Sequence, residues 1–129
     1  MSDTFNIEII SPEQKILSDK ISSITFPAFE GEMTILSNHI PIITFLRPGL
    51  INITGSKNLK YFAEEGTVEF SNNNLSLLSS TITEIKNFSS EKISKMIEEI
   101  KQQLSKEDMD DKTRYILNHK MDSLSKINL

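Results

Sequence analysis

Residues 26–51 read FPAFEGEMTILSNHIPIITFLRPGLI, and the reading of this stretch decides the fold. A glycine lies between two glutamates, Glu30 and Glu32, ahead of an apolar run. His39 falls two residues before Pro41, and Arg47-Pro48-Gly49 closes the segment. Two readings compete. A histidine with carboxylates nearby is the raw material of general acid-base chemistry or of a metal site. The same residues also punctuate turns in a small β domain, because glycine supplies positive φ and proline fixes φ near −65°.

The flanking sequence favours turns. Phe5, Ile7 and Ile9 alternate with Asn6 and Glu8, Ile24 and Phe26 flank Thr25, Ile51 and Ile53 flank Asn52, and Val68 and Phe70 flank Glu69. A period of two is that of half-buried antiparallel strands, whose successive side chains point to opposite faces. Turn residues recur between these runs at Ser11-Pro12, Glu30-Gly31-Glu32, Arg47-Pro48-Gly49, Gly55-Ser56, Glu65-Gly66 and Asn72-Asn73-Asn74. The pattern predicts a meander of eight to ten short strands over residues 1–86, closed into an antiparallel β-sandwich or flattened barrel.

After Phe88 the period becomes helical. Ile93, Met96, Ile97, Ile100 and Leu104 lie on one stripe, with Lys92, Lys95, Glu98, Glu99 and Lys101 opposite. Ser89 or Ser90 can cap the start, which predicts a helix over about 90–105. Asp108, Asp110 and Asp111 offer a second cap, and Leu117, Met121 and Leu124 line a second stripe over about 110–126. The short connection predicts an antiparallel αα-hairpin over residues 87–129. Its stripes are narrow, so it should pack on the β domain or on a partner. The fold class expected is therefore α+β in two parts, a sandwich followed by a helical hairpin.

Composition excludes several functions. The 129-residue chain has no cysteine, hence no disulfide framework, thiolate nucleophile or cysteine-based zinc site, and only two histidines, His39 and His119, far apart. Six basic against ten acidic side chains give residues 1–86 a net charge of −4, and residues 87–129 are neutral. Without a basic stripe, nucleic acid is not an expected partner. No apolar run approaches the roughly 18 residues of a membrane span, and MSDTFNIEII has neither the layout of a secretory signal nor that of a transit peptide, so a cytoplasmic product is expected.

The motifs EGExxILxxHxP (30–41) and RPGxIxI (47–53), with IISPEQKIL (9–17), YFAEEGTVEF (61–70) and NNLSLLSS (73–80) in the same order, resemble the epsilon-subunit family of the F-type rotary ATP synthases over almost the whole chain. The resemblance implies a non-catalytic central-stalk subunit that couples proton transport through the c-ring to ATP synthesis by binding gamma. It implies association with the cytoplasmic face of the bacterial inner membrane only through the complex, and no cofactor, metal or catalytic residue of the chain's own. By motif position it implies Glu30, Gly31, Glu32 and His39 as contacts to gamma and the c-ring. It also implies a hairpin able to inhibit ATP hydrolysis, with Lys112, Arg114, Lys120 and Lys126 on its second helix meeting alpha or beta subunits. Some members bind ATP at a motif whose positions here hold Phe88, Ser89, Lys92 and Ile93, without its aspartate, arginine and alanine. ATP binding is therefore not expected, since lysine lacks arginine's bidentate fork. The alternative from another class is a small hydrolase using His39 with Glu30 or Glu32, which requires those groups within hydrogen-bond reach.

Overall fold

The computed structural model describes residues 3–106 and 108–127. Nine strands come first: β1 (Phe5–Ile10), β2 (Lys15–Ala28), β3 (Gly31–Leu36), β4 (Ile42–Leu46), β5 (Gly49–Gly55), β6 (Asn58–Ala63), β7 (Gly66–Ser71), β8 (Asn74–Leu78) and β9 (Thr83–Glu84). One 3-10 turn (Ile85–Asn87) leads into two helices, α1 (Ser90–Leu104) and α2 (Asp111–Ser125). The expected fold class stands: a β-sandwich followed by a helical hairpin.

The connectivity is not the simple meander expected. The hydrogen-bonded order is β1-β8-β7-β4-β2-β5-β6-β9, β3 pairs with β2, and β1 also pairs with β2. Antiparallel pairing dominates, except that β1 and β8 run parallel. The fourteen-residue β2 makes this topology possible. Its first half pairs with β1 and its second half with β3 and β5, so one strand serves both layers. The crossing falls at a register shift between Ile21 and Ser23, where Ser22 Oγ donates to the Thr54 carbonyl at 2.9 Å. A bulge bends a strand and raises its twist, and the buried residues record it: Ile21 is followed by Ile24, Phe26 and Ala28, a three-residue step before the period of two resumes.

Two glycines are required by geometry. The turn between β2 and β3 is Phe29-Glu30, closed by Ala28 paired with Gly31, so Gly31 and Glu32 open β3 and do not form the turn as expected. Gly31 has φ +136°, a conformation costly for a side chain. At Gly49 a Cβ would lie 2.5 Å from Pro27 Cγ. The expected tight turn at Pro48-Gly49 is in fact a corner, because β4 and β5 on either side pair with other strands.

Two apolar clusters hold the chain together. The larger fills the sandwich with Phe5, Ile7, Ile9, Ile24, Phe26, Ile35, Ile51, Ile53, Val68, Phe70, Leu75 and Leu77 among others; each such side chain contributes about 1.5–3 kcal/mol on burial. The second lies outside the sheet. Phe62 and the half-buried Leu50, cross-strand partners on β6 and β5, point away from the sandwich core and are covered by Phe88, Ile93, Ile100 and Leu124. The hairpin therefore docks on the sandwich, one of the two covers, β domain or partner, that its narrow stripes called for. Both helices start on side-chain caps. Ser89 accepts from Lys92 N–H and Asp110 from Thr113 N–H, and the Thr113 bonds hold the Asp110 carboxyl below its usual range.

Candidate functional site

The residues singled out in 26–51 fall into three places. Glu30, in the β2–β3 turn, accepts a 3.4 Å hydrogen bond from the Thr44 hydroxyl. Glu32 is at the start of β3 and forms part of the wall of a small cleft of about 120 Å³, together with Arg47, Pro48, His119, Asp122 and Lys126. His39 lies three residues beyond the far end of β3. Its Nδ1–H donates to the Ile40 carbonyl at 2.7 Å, and its ring meets the Phe70 ring edge to face at 5.9 Å. The loop that carries it is tied to the β7–β8 turn. Asn38 N–H donates to Asn73 Oδ1 at 2.6 Å, and Asn73 Nδ2 donates to Asn38 Oδ1 at 3.0 Å. Asn38, Asn72 and Asn73 all take positive φ, which asparagine tolerates better than most side chains.

A strand of six residues at about 3.3 Å each keeps Gly31 and Leu36 about 16 Å apart, so β3 separates the turn from the histidine loop. His39 is hydrogen-bonded or ion-paired to neither Glu30 nor Glu32. The base-to-carboxylate contact that the hydrolase alternative requires is not formed. Among the described residues no group of three or more His, Asp or Glu side chains is placed to hold a metal.

The structure also brings out a surface the motifs did not mark. Ile43 and Phe45 point outward from β4 at 65% and 59% exposure, and Ile40, in the loop before it, reaches 74%. Phe45 belongs to one cross-strand row with Thr67 and the half-exposed Leu78. On its other side β4 pairs with β2 only at Leu46, and Phe29 N–H donates to the Phe45 carbonyl at 3.2 Å, which sets the β2–β3 turn beside this strip. An exposed, contiguous apolar strip on a sheet with a nearly unpaired edge is characteristic of a partner contact. Its sequence signal is the run Ile42-Ile43-Thr44-Phe45-Leu46, apolar on both faces of one strand.

The basic residues of α2 are largely engaged in this docked state. Lys120 Nζ is 2.7 Å from Glu64 Oε1, Lys126 pairs with Asp122 within the helix at 3.1 Å, and Arg114 Nη1 donates to the Leu104 carbonyl at 3.5 Å. Lys112 is exposed. At the helix-one motif, Ser89 is committed as the cap, Lys92 Nζ sits 5.1 Å from the centre of the Phe88 ring, and Ile93 is buried.

Comparison with known proteins agrees with this architecture. The sequence profile of the family described as ATP synthase, delta/epsilon chain, β-sandwich domain, matches residues 4–85. The chain is similar to the ATP synthase epsilon chain of Pelagibacter ubique (strain HTCC1062), 43% identical over 132 residues, covering 99% of this chain and 100% of that one. It is similar to the ATP synthase epsilon chain of Allorhizobium ampelinum, 34% identical over 113 residues, covering 86% and 80% respectively. Among solved structures, a chain of the Euglena gracilis mitochondrial ATP synthase superposes with a TM-score of 0.77 at 18% identity, covering 95% of this chain and 78% of that one. A chain of the Tetrahymena thermophila mitochondrial ATP synthase central stalk and c-ring superposes with a TM-score of 0.68 at 13% identity, covering 97% and 96%. At those identities the likeness concerns the fold.

Proposed function

The chain belongs to the ATP synthase epsilon family, and we propose that it acts as a non-catalytic subunit of the central stalk, docking on gamma through the outward face of β4. The observation that carries this is a contrast between two strands. Tyr61-Phe62-Ala63 on β6 is buried throughout because the hairpin covers its outer side chain, whereas the equally two-faced β4 leaves Ile43 and Phe45 bare. The cover for β6 is part of this chain; the cover for β4 comes from a partner.

The polar contacts are assigned with it. Glu32 lies at the start of β3 and His39 follows that strand, which among the described residues is an edge strand paired only with β2, and they face the polar loops of the c-ring, while Glu30 and Gly31 shape the adjoining turn. In this arrangement residues 1–86 are the rotor-binding unit, coupling proton transport to ATP synthesis by rigid attachment. Residues 87–129 are the regulatory unit, which inhibits hydrolysis by leaving the sandwich and carrying Lys112, Arg114, Lys120 and Lys126 to the alpha and beta subunits. No helix among the described residues is long and apolar enough to cross a membrane, and membrane association, on the cytoplasmic face of the bacterial inner membrane, is through the complex.

The test is the double variant Ile43→Asp/Phe45→Asp. Central apolar anchors contribute about 2 kcal/mol or more each when truncated, so its affinity for purified gamma, measured by calorimetry, should fall by about 100-fold or more while its circular dichroism stays unchanged. Undiminished affinity would place the gamma contact elsewhere on the sandwich.

A further inference from the structure

Beyond its apolar contact and the Lys120–Glu64 ion pair, α2 meets the sandwich at a further polar point. Tyr115 lies between two elements of the strand layer: its hydroxyl donates to the Phe29 carbonyl at 3.3 Å and accepts from Arg47 Nη1 at 3.2 Å. Its ring stacks on Phe29, 13° from parallel with centroids 6.3 Å apart. One turn along the helix, His119 packs against the same Tyr115 ring at 4.4 Å and borders the cleft formed with Glu32, Arg47, Asp122 and Lys126. Ser123 Oγ then donates to the Pro48 carbonyl at 3.4 Å. Tyr115, His119 and Ser123 thus form one stripe of α2 that reads the β2–β3 turn and the Arg47-Pro48 corner.

We propose that this stripe is a latch holding the hairpin down, with Tyr115 as its bolt and with His119 as the element that loosens it on taking up a proton. The groups around His119 explain why it, and no other, responds near neutrality. From the sandwich it faces Glu32 and Arg47; from its own helix it faces Tyr115, Asp122 and Lys126. Histidine is the one side-chain type in this set whose ordinary pKa lies near neutrality. Partial burial, followed by the nearby Arg47 guanidinium, lowers the His119 pKa below its ordinary value, with Lys126 adding to the effect and Asp122 opposing it. The docked state therefore favours neutral imidazole. Its stability is fully present above the ordinary histidine pKa, about 6.5, and declines as the pH falls from there through the lowered value.

The latch itself is a property of the isolated chain; only its consequence, release of an inhibitory hairpin when the compartment acidifies, rests on the function proposed above. Hydrogen exchange of the α2 amides in the full chain, corrected for intrinsic rates, tests it. Tyr115→Phe keeps the ring and removes both hydroxyl contacts, and should speed α2 exchange about 5- to 10-fold with no change in β1, β5 or β7. In the unsubstituted chain α2 protection should fall between pH 8 and pH 5.5, and His119→Gln should abolish that fall. An unchanged rate in Tyr115→Phe, or an unchanged pH profile in His119→Gln, overturns the latch. A binding assay with gamma separates the two ideas: loss of gamma binding with the latch behaviour intact would sink the function and leave the latch standing.

Discussion

Phe62→Ala should detach the helical hairpin while leaving the sandwich folded, at a cost of about 3–5 kcal/mol. Phe62 is 2% exposed, yet it contributes nothing to the sandwich core, because its neighbours Tyr61 and Ala63 point inward and it points out. Its ring meets Phe88 edge to face at 6.1 Å, and Ile93, Ile100 and Leu124 close over it. Removing it leaves a cavity that two short helices with narrow stripes cannot refill. Helices of fifteen residues each are marginal alone in water, so loss of docking becomes loss of helix. Urea unfolding followed at 222 nm should show an early helical transition absent from the unsubstituted chain. A decrease of less than about 1 kcal/mol would mean that the hairpin is held mainly by its polar contacts.

Phe70→Ala should have the opposite distribution, destabilising the sandwich by about 3–5 kcal/mol. Phe70 is 1% exposed, it packs edge to face on Phe5 at 5.4 Å, and it carries the His39 ring at 5.9 Å. Against a typical total of about 5–15 kcal/mol, the loss should leave a marginal fold. It should also free the histidine loop, since the imidazole would lose the ring it rests on. The checks are the urea midpoint and the His39 ring resonances. A shift in those resonances with little change in midpoint would indicate that the cavity collapses around Ile42 and Leu75.

The two substitutions contrast a strand that is apolar on both faces, β6, with one that alternates, β7, and this difference was only partly legible in the sequence. Alternation in Phe5-Ile7-Ile9 and Val68-Phe70 marks strands whose outer face is solvated, and both helices lie within about a residue of where periodicity and caps put them. Runs such as Tyr61-Phe62-Ala63 and Ile42 to Leu46 signal a second cover but do not say whether it comes from the same chain. Docking geometry decides that, and it depends on contacts distant in sequence.

Topology was illegible for a related reason. Alternation is local and carries no information on which strands pair, so the parallel β1–β8 contact and the double role of β2 could not be read. The step from Ile21 to Ile24 was the available trace of the bulge. The turn was displaced by one residue because Gly31 was assigned to its interior, whereas positive φ is required where β3 begins. At the site, the EGE motif located Glu30 and Glu32 but not the Tyr115 contact to Phe29, which spans 86 residues. His119 likewise gained its meaning only when α2 was seated on the Arg47 corner.

The central claim is that the bare face of β4 is where this chain joins the rotor. Placing a photo-crosslinking phenylalanine analogue at position 45 of the full chain, in complexes assembled on native membranes, tests it most directly, with the captured subunit identified by mass spectrometry. The account predicts a cross-link to gamma. Capture of a different subunit, or assembly of an active complex in which position 45 cross-links to nothing, would contradict it.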